Sequence, residues 1–201
     1  MAYHVAVSAR RFLILHGLDN ERPLGHWQRW LADNLREGGE QVLYPQLPEP
    51  AAPSYTAWSE LVRAELDHLG DGERVVICHS LACLLWLQMA TTLPQPLRVD
   101  RVLLAAIPSL QVVSGLAPSF SAFAPSAAAV REASRQTRAV CGDPDPYSPN
   151  GEGAALARAV GIEVEVLPGQ GHLSPEEGYG PWPGIAAWCD DPGFRISVAG
   201  G

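Results

Sequence analysis

Short apolar runs alternate with longer stretches of helical period along the chain, and this alternation restricts the fold more than any other feature of the sequence. Strand-length runs are predicted at 11–16, 41–47, 74–78, 101–107, 137–141 and 162–167. Helical periodicity is predicted at 26–36, 55–69, 81–91, 152–160 and 182–188. Such alternation is typical of a parallel sheet with helices on both faces. We therefore predict one α/β domain over residues 1–201, with a mostly parallel six-stranded, doubly wound sheet and a ligand site beyond the carboxyl ends of its strands.

Charge and cysteine content restrict the partners and the compartment of this chain. Acidic residues outnumber basic ones by 22 to 14, which disfavours nucleic acid or an anionic membrane surface as the main partner. No apolar segment is long enough to span a bilayer, and the N-terminus lacks the pattern of a signal peptide. The four cysteines show no metal-ligand spacing. We expect a cytoplasmic protein with reduced thiols, no membrane partner and no metal site.

Three residues with complementary chemistry follow three different predicted strands. Ser80 comes after the run 74–78, Asp145 after 137–141, and His172 after 162–167. Because the carboxyl ends of parallel strands meet at one edge of a sheet, these side chains are expected to lie together. A serine hydroxyl becomes a good nucleophile when a neutral imidazole accepts its proton, and a carboxylate fixes the tautomer of that imidazole. The sequence predicts Ser80 as nucleophile, His172 as base and Asp145 as its acid partner, in the chain order of one large hydrolase class.

A second carboxylate, Asp143, competes for the role of the acid. We favour Asp145 because Gly142 stands three residues before it and Pro149 four residues after it, the usual spacing in such enzymes. An aspartate directly before a proline, such as Asp143, is commonly a turn residue.

The segment around Ser80 resembles a nucleophile elbow, with two departures from the motif G-x-S-x-G. Cys78 and Ala82 stand where that motif has glycines, and both are small enough for a tight turn. The backbone N–H groups of Leu81, after the nucleophile, and of Leu18, after His16-Gly17, are the predicted donors to the developing oxyanion. His79 is predicted to support the elbow, and Cys78 is expected to be a core residue rather than a nucleophile.

Substrate-contacting residues are harder to choose from the sequence. The segment 108–126 is rich in proline and serine without a clear period, which predicts a loop or lid over the site. Within it Phe120 and Phe123 are candidates for a substrate pocket, and the alternative is that they anchor the loop. Trp182, near His172, and His16 are further candidates, with packing in the core as the alternative for both. His26 and Trp27 are expected to pack the start of a helix rather than to touch substrate.

Several short motifs together resemble a known family. They are His16-Gly17, GHWQ at 25–28, HSL at 79–81, DPY at 145–147, and GH at 171–172 followed by GYGPWP at 178–183. In this combination the chain resembles the YdeN and retinoblastoma-binding-protein family of small serine hydrolases, over residues 11–188. The resemblance implies a compact α/β-hydrolase fold without a large cap domain, and a triad on Ser80, Asp145 and His172. It also implies carboxylesterase activity on small acyl substrates. The L-x-C-x-E sequence for retinoblastoma binding is not present, so that partnership is not carried over.

These observations lead to one main hypothesis and two alternatives. The main hypothesis is hydrolysis of a small ester through an acyl-enzyme on Ser80, with no metal or organic cofactor. In the first alternative the same triad transfers the acyl group to an alcohol or amine, or closes a lactone. In the second the chain is a non-catalytic binding protein on a hydrolase scaffold. The sequence does not distinguish between natural substrates or oligomeric states.

Overall fold

The computed structural model describes residues 10–197, so the ends of the predicted domain, 1–9 and 198–201, lie outside the described residues. Six strands form one sheet in the order β2-β1-β3-β4-β5-β6, and every neighbouring pair is parallel. The strands are β1 (Arg10–Leu15), β2 (Gln41–Leu43), β3 (Glu73–His79), β4 (Val99–Ala105), β5 (Ser134–Asp143) and β6 (Glu163–Pro168). The predicted six-stranded α/β fold is confirmed, and the sheet is parallel throughout.

Helices cover both faces of this sheet. They are α1 (Trp27–Glu37), α2 (Tyr55–His68), α3 (Leu81–Ala90), α4 (Leu110–Leu116), α5 (Ala127–Ala133), α6 (Glu152–Ala159) and α7 (Pro183–Asp190). Helices α1 and α7 share one hydrophobic core with one face of the sheet. The other five contribute to a second core on the opposite face. The strands are therefore buried on both sides, which explains why they read as continuous apolar runs.

The central strand β3 shows how the two cores are divided. Val75 and Ile77 belong to the core under α1 and α7, whereas Val76 and Cys78 belong to the other core. This is the two-residue alternation of a strand with two buried faces. Helix α3 follows directly and is almost wholly buried, so it is apolar on every side rather than amphipathic. No helix within residues 10–197 is long and apolar enough to cross a membrane.

The segment 108–126 is more regular than the sequence predicts. It contains α4 and a short 3-10 helix, Pro118–Phe120, and it is followed by α5, which the sequence analysis did not predict. Ser109 and Ser126 cap α4 and α5 by accepting backbone N–H groups, and serine is a preferred N-cap residue. Both helices have seven residues, too few for a hydrophobic period to stand out. Strand β2 is shorter than predicted because the chain leaves the sheet after Leu43.

The four cysteines are all free and buried. Burial raises the pKa of the Cys141 thiol to about 11 and that of Cys189 to about 12, and it raises the pKa of Cys78 and Cys83 as well. Because the thiolate is the reactive form, these groups are poor nucleophiles at neutral pH. Cys78 thus serves as a small core residue, although it lies only two positions from Ser80.

Candidate active site

The structure brings Ser80, His172 and Asp145 into one hydrogen-bonded row. Ser80 lies between β3 and α3, Asp145 follows β5, and His172 follows β6. The Oγ atom of Ser80 is 2.8 Å from Nε2 of His172, and Nδ1 of His172 is 2.8 Å from Oδ2 of Asp145. Asp145 is 5% exposed and His172 is 8% exposed. Asp143, the competing acid, is exposed at the end of β5.

Hydrogen bonds around the row orient the imidazole of His172. Nδ1–H of His172 donates to Asp145, which leaves the Nε2 lone pair to accept the hydroxyl proton of Ser80. The other carboxylate oxygen of Asp145 accepts the backbone N–H of Tyr147 at 2.8 Å. The ring of Tyr147 lies 4.5 Å from that of His172, centroid to centroid. This arrangement holds His172 in the tautomer that a general base requires.

His79 supports the loop that carries His172. Its Nε2 lies 3.0 Å from the backbone carbonyl oxygen of His172, so Nε2–H donates to that oxygen. Burial lowers the pKa of His79 well below its ordinary value, which keeps the ring neutral. The His79 ring also contacts the rings of His26, Trp27 and His172, with centroid distances of 5.2, 5.6 and 5.2 Å. His79 is thus a positioning residue for His172.

The backbone at Ser80 is strained, as expected of a nucleophile elbow. Its φ of 56° and ψ of −124° lie in a region that residues with a β-carbon rarely adopt. Two backbone hydrogen bonds hold this conformation: Ser80 N–H donates to Ala105, and Cys83 N–H donates to Ser80, both at 2.9 Å. Cys78 and Ala82 are fully buried, so the small side chains that replace the motif glycines are accommodated in the core.

Two residues that line the cleft with Ser80 carry backbone amides of interest. Leu81 is the first residue of α3, and Leu18 follows Gly17 after β1; both line the same cleft as Ser80. In the part of the chain that the structure describes, neither N–H donates to another protein group. Amides at the start of a helix are suited to accommodate negative charge. Neither of the two predicted oxyanion donors is therefore taken up by a backbone acceptor within residues 10–197.

The cleft at Ser80 has a volume of about 630 Å³ and two kinds of lining. One part is apolar and consists of Leu18, Leu81, Pro108, Val113, Leu116, Ala117, Pro146 and Tyr147. The other part carries the carboxylates that we call the acidic rim: Asp19, Glu21, Glu176 and Glu177. No arginine lines this cleft among residues 10–197. Nor do any three His, Cys, Asp or Glu side chains in that range form a group that could hold a metal ion.

The expectation that His16 lines the pocket is corrected by the structure. His16 is fully buried behind Gly17 and does not line the cleft. Its Nδ1–H donates to the carbonyl of Gly17 at 2.9 Å, and its Nε2 accepts the N–H of Leu47 at 2.8 Å. Burial lowers the pKa of His16 to about 4, so the ring is neutral. His16 therefore braces the loop that carries the Leu18 amide.

The other three predicted pocket residues also lie outside the cleft lining, because each packs in or against a core. They are Phe120, Phe123 and Trp182. Phe120 is buried against Trp58 with a ring distance of 5.1 Å. Phe123 is half-buried against the same core. Trp182 packs against Trp27 on the opposite face and donates its Nε1–H to Ser197. The segment 108–126 does reach the cleft, but it does so through its first half.

The sequence did not identify the α4 residues that form much of the apolar part of the cleft. Val113, Leu116 and Ala117 come from α4 and the residue after it. The sequence signal for them was the N-cap residue Ser109, which precedes α4. On a helix that begins there, residues three and four positions apart lie on the same face. Tyr147 stands in the DPY motif, but only the structure shows its ring against His172.

Comparisons with known proteins identify the family of this chain. The family model described as serine hydrolase matches residues 12–190, nearly the whole chain. A comparison with curated proteins found no match.

Solved structures share the fold at low sequence identity. The ydeN gene product of B. subtilis is 20% identical, with a TM-score of 0.78 over 91% of this chain and 97% of that one. A YdeN-like hydrolase from Pectobacterium atrosepticum is 19% identical, with a TM-score of 0.69 over 90% of each chain. The esterase domain of a Rhodothermus marinus protein is 16% identical, with a TM-score of 0.64 over 92% and 88%. The resemblance to YdeN-like small serine hydrolases is confirmed, and the chain belongs to the serine hydrolase family.

Proposed function

We propose that this protein hydrolyses small carboxylic esters through an acyl-enzyme on Ser80. The observation that carries the proposal is the row of two 2.8 Å contacts from Ser80 through His172 to Asp145. A hydroxyl paired with an oriented, neutral imidazole is the recognised signature of an activated nucleophile. The amides of Leu18 and Leu81, which have no backbone acceptor among residues 10–197, support the same reaction, because acyl transfer needs donors to an oxyanion.

In the acylation step, Ser80 Oγ attacks the ester carbonyl while its proton moves to Nε2 of His172. The carbonyl π bond opens, and the amides of Leu18 and Leu81 donate to the resulting oxyanion. Asp145, still ionised, stabilises the imidazolium. When the carbonyl re-forms, the bond to the alcohol oxygen breaks and the alcohol takes the proton from His172.

Deacylation repeats these steps with water as the nucleophile. His172 takes a proton from water, and the hydroxyl oxygen bonds to the acyl carbon. Collapse of the second tetrahedral intermediate breaks the bond to Ser80 Oγ, which recovers its proton from His172. The carboxylic acid leaves, and the enzyme returns to its starting protonation state.

The lining of the cleft supports an uncharged acyl group. Val113, Leu116 and Ala117 give one part of the cleft an aliphatic surface, and burying apolar area there favours a short hydrocarbon chain. Leu116 and Tyr147 stand at the solvent boundary, 52% and 42% exposed. Because the cleft opens to solvent beside them, water has access to an acyl group on Ser80. This access favours hydrolysis over acyl transfer or lactone formation.

A fluorophosphonate probe tests the proposal, because it labels only activated serines. We expect labelling at Ser80 in the folded protein, loss of labelling in Ser80→Ala, and hydrolysis of p-nitrophenyl butyrate by the wild type only. Adding an alcohol acceptor and analysing the products separates hydrolysis from transfer. Absence of a label on folded wild-type protein would contradict the proposal and leave a non-catalytic binding protein as the better reading.

A further inference from the structure

The mostly buried side chain of His26 places a hydrogen-bond donor in the cleft. The residue is only 3% exposed, yet it lines the same cleft as Ser80 and His172. It is the N-cap of α1, and its Nδ1 accepts the backbone N–H of Gln28 at 3.1 Å. Within residues 10–197, Nε2 has no hydrogen-bond partner. This nitrogen is not one of the fully buried polar atoms of that range, so its N–H is open to the cleft and to a ligand there.

The bond from Gln28 determines which nitrogen of His26 carries the proton. Since Nδ1 accepts, the neutral ring holds its proton on Nε2. Burial lowers the pKa of His26 to about 4, so the ring is neutral at pH 7. His26 therefore presents one N–H donor to the cleft and no positive charge.

The backbone around His26 is tied to the loop that follows His172. The backbone N–H of Trp27 donates to the carbonyl of Tyr179, and the Nε1–H of Trp27 donates to the carbonyl of Leu173, both at 3.0 Å. The ring of His26 itself packs 5.2 Å from that of His79, which in turn lies 5.2 Å from His172. His26 is thus held on the His172 side of the site. The leaving alcohol lies on this side, because His172 must protonate its oxygen.

A negative charge acts on His26 from the loop after His172. Glu176 is close enough to act on it electrostatically, and Asp19, Glu21 and Glu177 complete the acidic rim. Hydrogen bonding from Ser174 lowers the pKa of Glu176, so this carboxyl is ionised at neutral pH. Carboxylates repel an anionic group and accept hydrogen bonds from a hydroxyl. His26 and the acidic rim together suit an uncharged substrate group that can both accept and donate a hydrogen bond.

We propose that His26 and Glu176 form a leaving-group subsite for esters whose alcohol part carries a further hydroxyl and no negative charge. The substrate hydroxyl accepts the Nε2–H of His26, and the acidic rim excludes alcohols that bear a carboxylate or phosphate. This inference depends on the proposed esterase function and adds its substrate class.

Three butyrate esters with a common acyl group test the subsite. They are 2-hydroxyethyl butyrate, propyl butyrate, which replaces the hydroxyl by a methyl group, and the butyrate ester of glycolate, which is anionic. For the wild type we expect kcat/KM to be highest for the hydroxyethyl ester and lowest for the anionic one. In His26→Asn the ratio of hydroxyethyl to propyl ester should fall roughly fivefold, which is the scale of one hydrogen bond. Asparagine is a good N-cap, so this variant keeps an acceptor for Gln28.

Glu176→Gln tests the charge of the rim. It should raise kcat/KM for the anionic ester relative to propyl butyrate several-fold at low salt, with a smaller gain at high salt because ions screen the repulsion. His68→Asn, on the exposed end of α2, is the control variant and should leave all ratios unchanged.

The outcomes separate this inference from the proposed function. If the wild type carries no probe on Ser80 and cleaves no ester, the proposed function is wrong. If the wild type is active but prefers propyl over hydroxyethyl butyrate, only the subsite is wrong, and this result needs no variant to fold. If His26→Asn lowered kcat/KM equally for 2-hydroxyethyl and propyl butyrate, His26 would have only a structural role. That result would overturn the subsite as well.

Discussion

The α-carbon of Gly17 lies directly against the side chain of Ser80. A β-carbon at position 17 would stand 2.7 Å from Cβ of Ser80, closer than real β-carbons approach another atom, and a tight 3.1 Å from its Oγ. The glycine therefore lets the loop after β1 approach Ser80 closely, and the next residue, Leu18, lines the same cleft. His16 holds this loop from behind through its bond to the Gly17 carbonyl.

Replacing Gly17 by alanine should impair catalysis more than folding. The added methyl group must displace either Ser80 or the Leu18 amide, and a shift of about 1 Å at a reacting group can cost about 10²-fold in rate. We expect kcat/KM for p-nitrophenyl butyrate to fall by about that factor. Gly25→Ala is the matched control, because a β-carbon at Gly25 meets nothing within 4 Å. Equal activity of the two variants would show that the close approach is unimportant.

Asp145 and Asp143 can be distinguished by mutation. Asp145→Asn removes the charge that fixes the His172 tautomer, and we expect kcat to fall about 10⁴-fold. Asp143→Asn changes an exposed side chain and should leave kcat within about twofold, as surface substitutions usually do. The measurement is steady-state hydrolysis for both variants. A large loss in Asp143→Asn alone would mean that the acid is assigned to the wrong residue.

His79→Phe should destabilise the protein. Phenylalanine keeps a ring beside His26, Trp27 and His172 but removes the Nε2–H that donates to the His172 carbonyl. A buried carbonyl left without its donor costs about 1–3 kcal/mol, so the free energy of unfolding in urea should fall by about that amount. Because the His172 loop loses a support, kcat should fall too. Unchanged stability and kcat would exclude a positioning role for His79.

The protein should lose stability at mildly acidic pH because of its buried histidines. Burial lowers the pKa of His16 and His26 to about 4, and that of His79 lies well below its ordinary value. In the unfolded chain these rings bind a proton near pH ~6.5. Between about pH 6.5 and 4 the unfolded state holds more protons, so the free energy of unfolding falls as pH falls. Each histidine contributes up to about 1.4 kcal/mol per pH unit.

Urea denaturation across this pH range checks the prediction. His16→Gln should reduce the slope of unfolding free energy against pH by up to about 1.4 kcal/mol per unit, whatever its effect at neutral pH. His68→Gln, at an exposed position, should leave the slope unchanged. A wild-type stability that is flat between these pH values would contradict the assignment of neutral buried rings.

The strands and the three hydrogen-bonded residues could be predicted because their signals are local. Apolar runs mark strands buried on both faces, and Ser80, Asp145 and His172 each follow one of them directly. In a parallel sheet the carboxyl ends of all strands lie at the same edge. The position of each residue directly after a strand therefore predicts that the three residues lie close together. The preference for Asp145 over Asp143 also came from local spacing, and the structure places Asp145 against His172.

The walls of the cleft could not be predicted in the same way. Phe120 and Trp182 looked suitable because they are large and apolar, but such residues gain as much free energy in a core as in a pocket, and both pack in cores. The structure instead assigns Val113 and Leu116 to the cleft, from a helix too short to show a period.

By itself, the sequence determined the parallel sheet and the convergence of Ser80, Asp145 and His172, because periodicity and position after a strand depend on neighbours along the chain. Only the tertiary structure decided that His16 lies behind the site while His26 faces it. Each is a histidine near the end of an element, and nothing within a few residues distinguishes them. The difference comes from partners distant in sequence. The backbone N–H of Leu47 donates to Nε2 of His16, whereas Nε2 of His26 is open to the cleft.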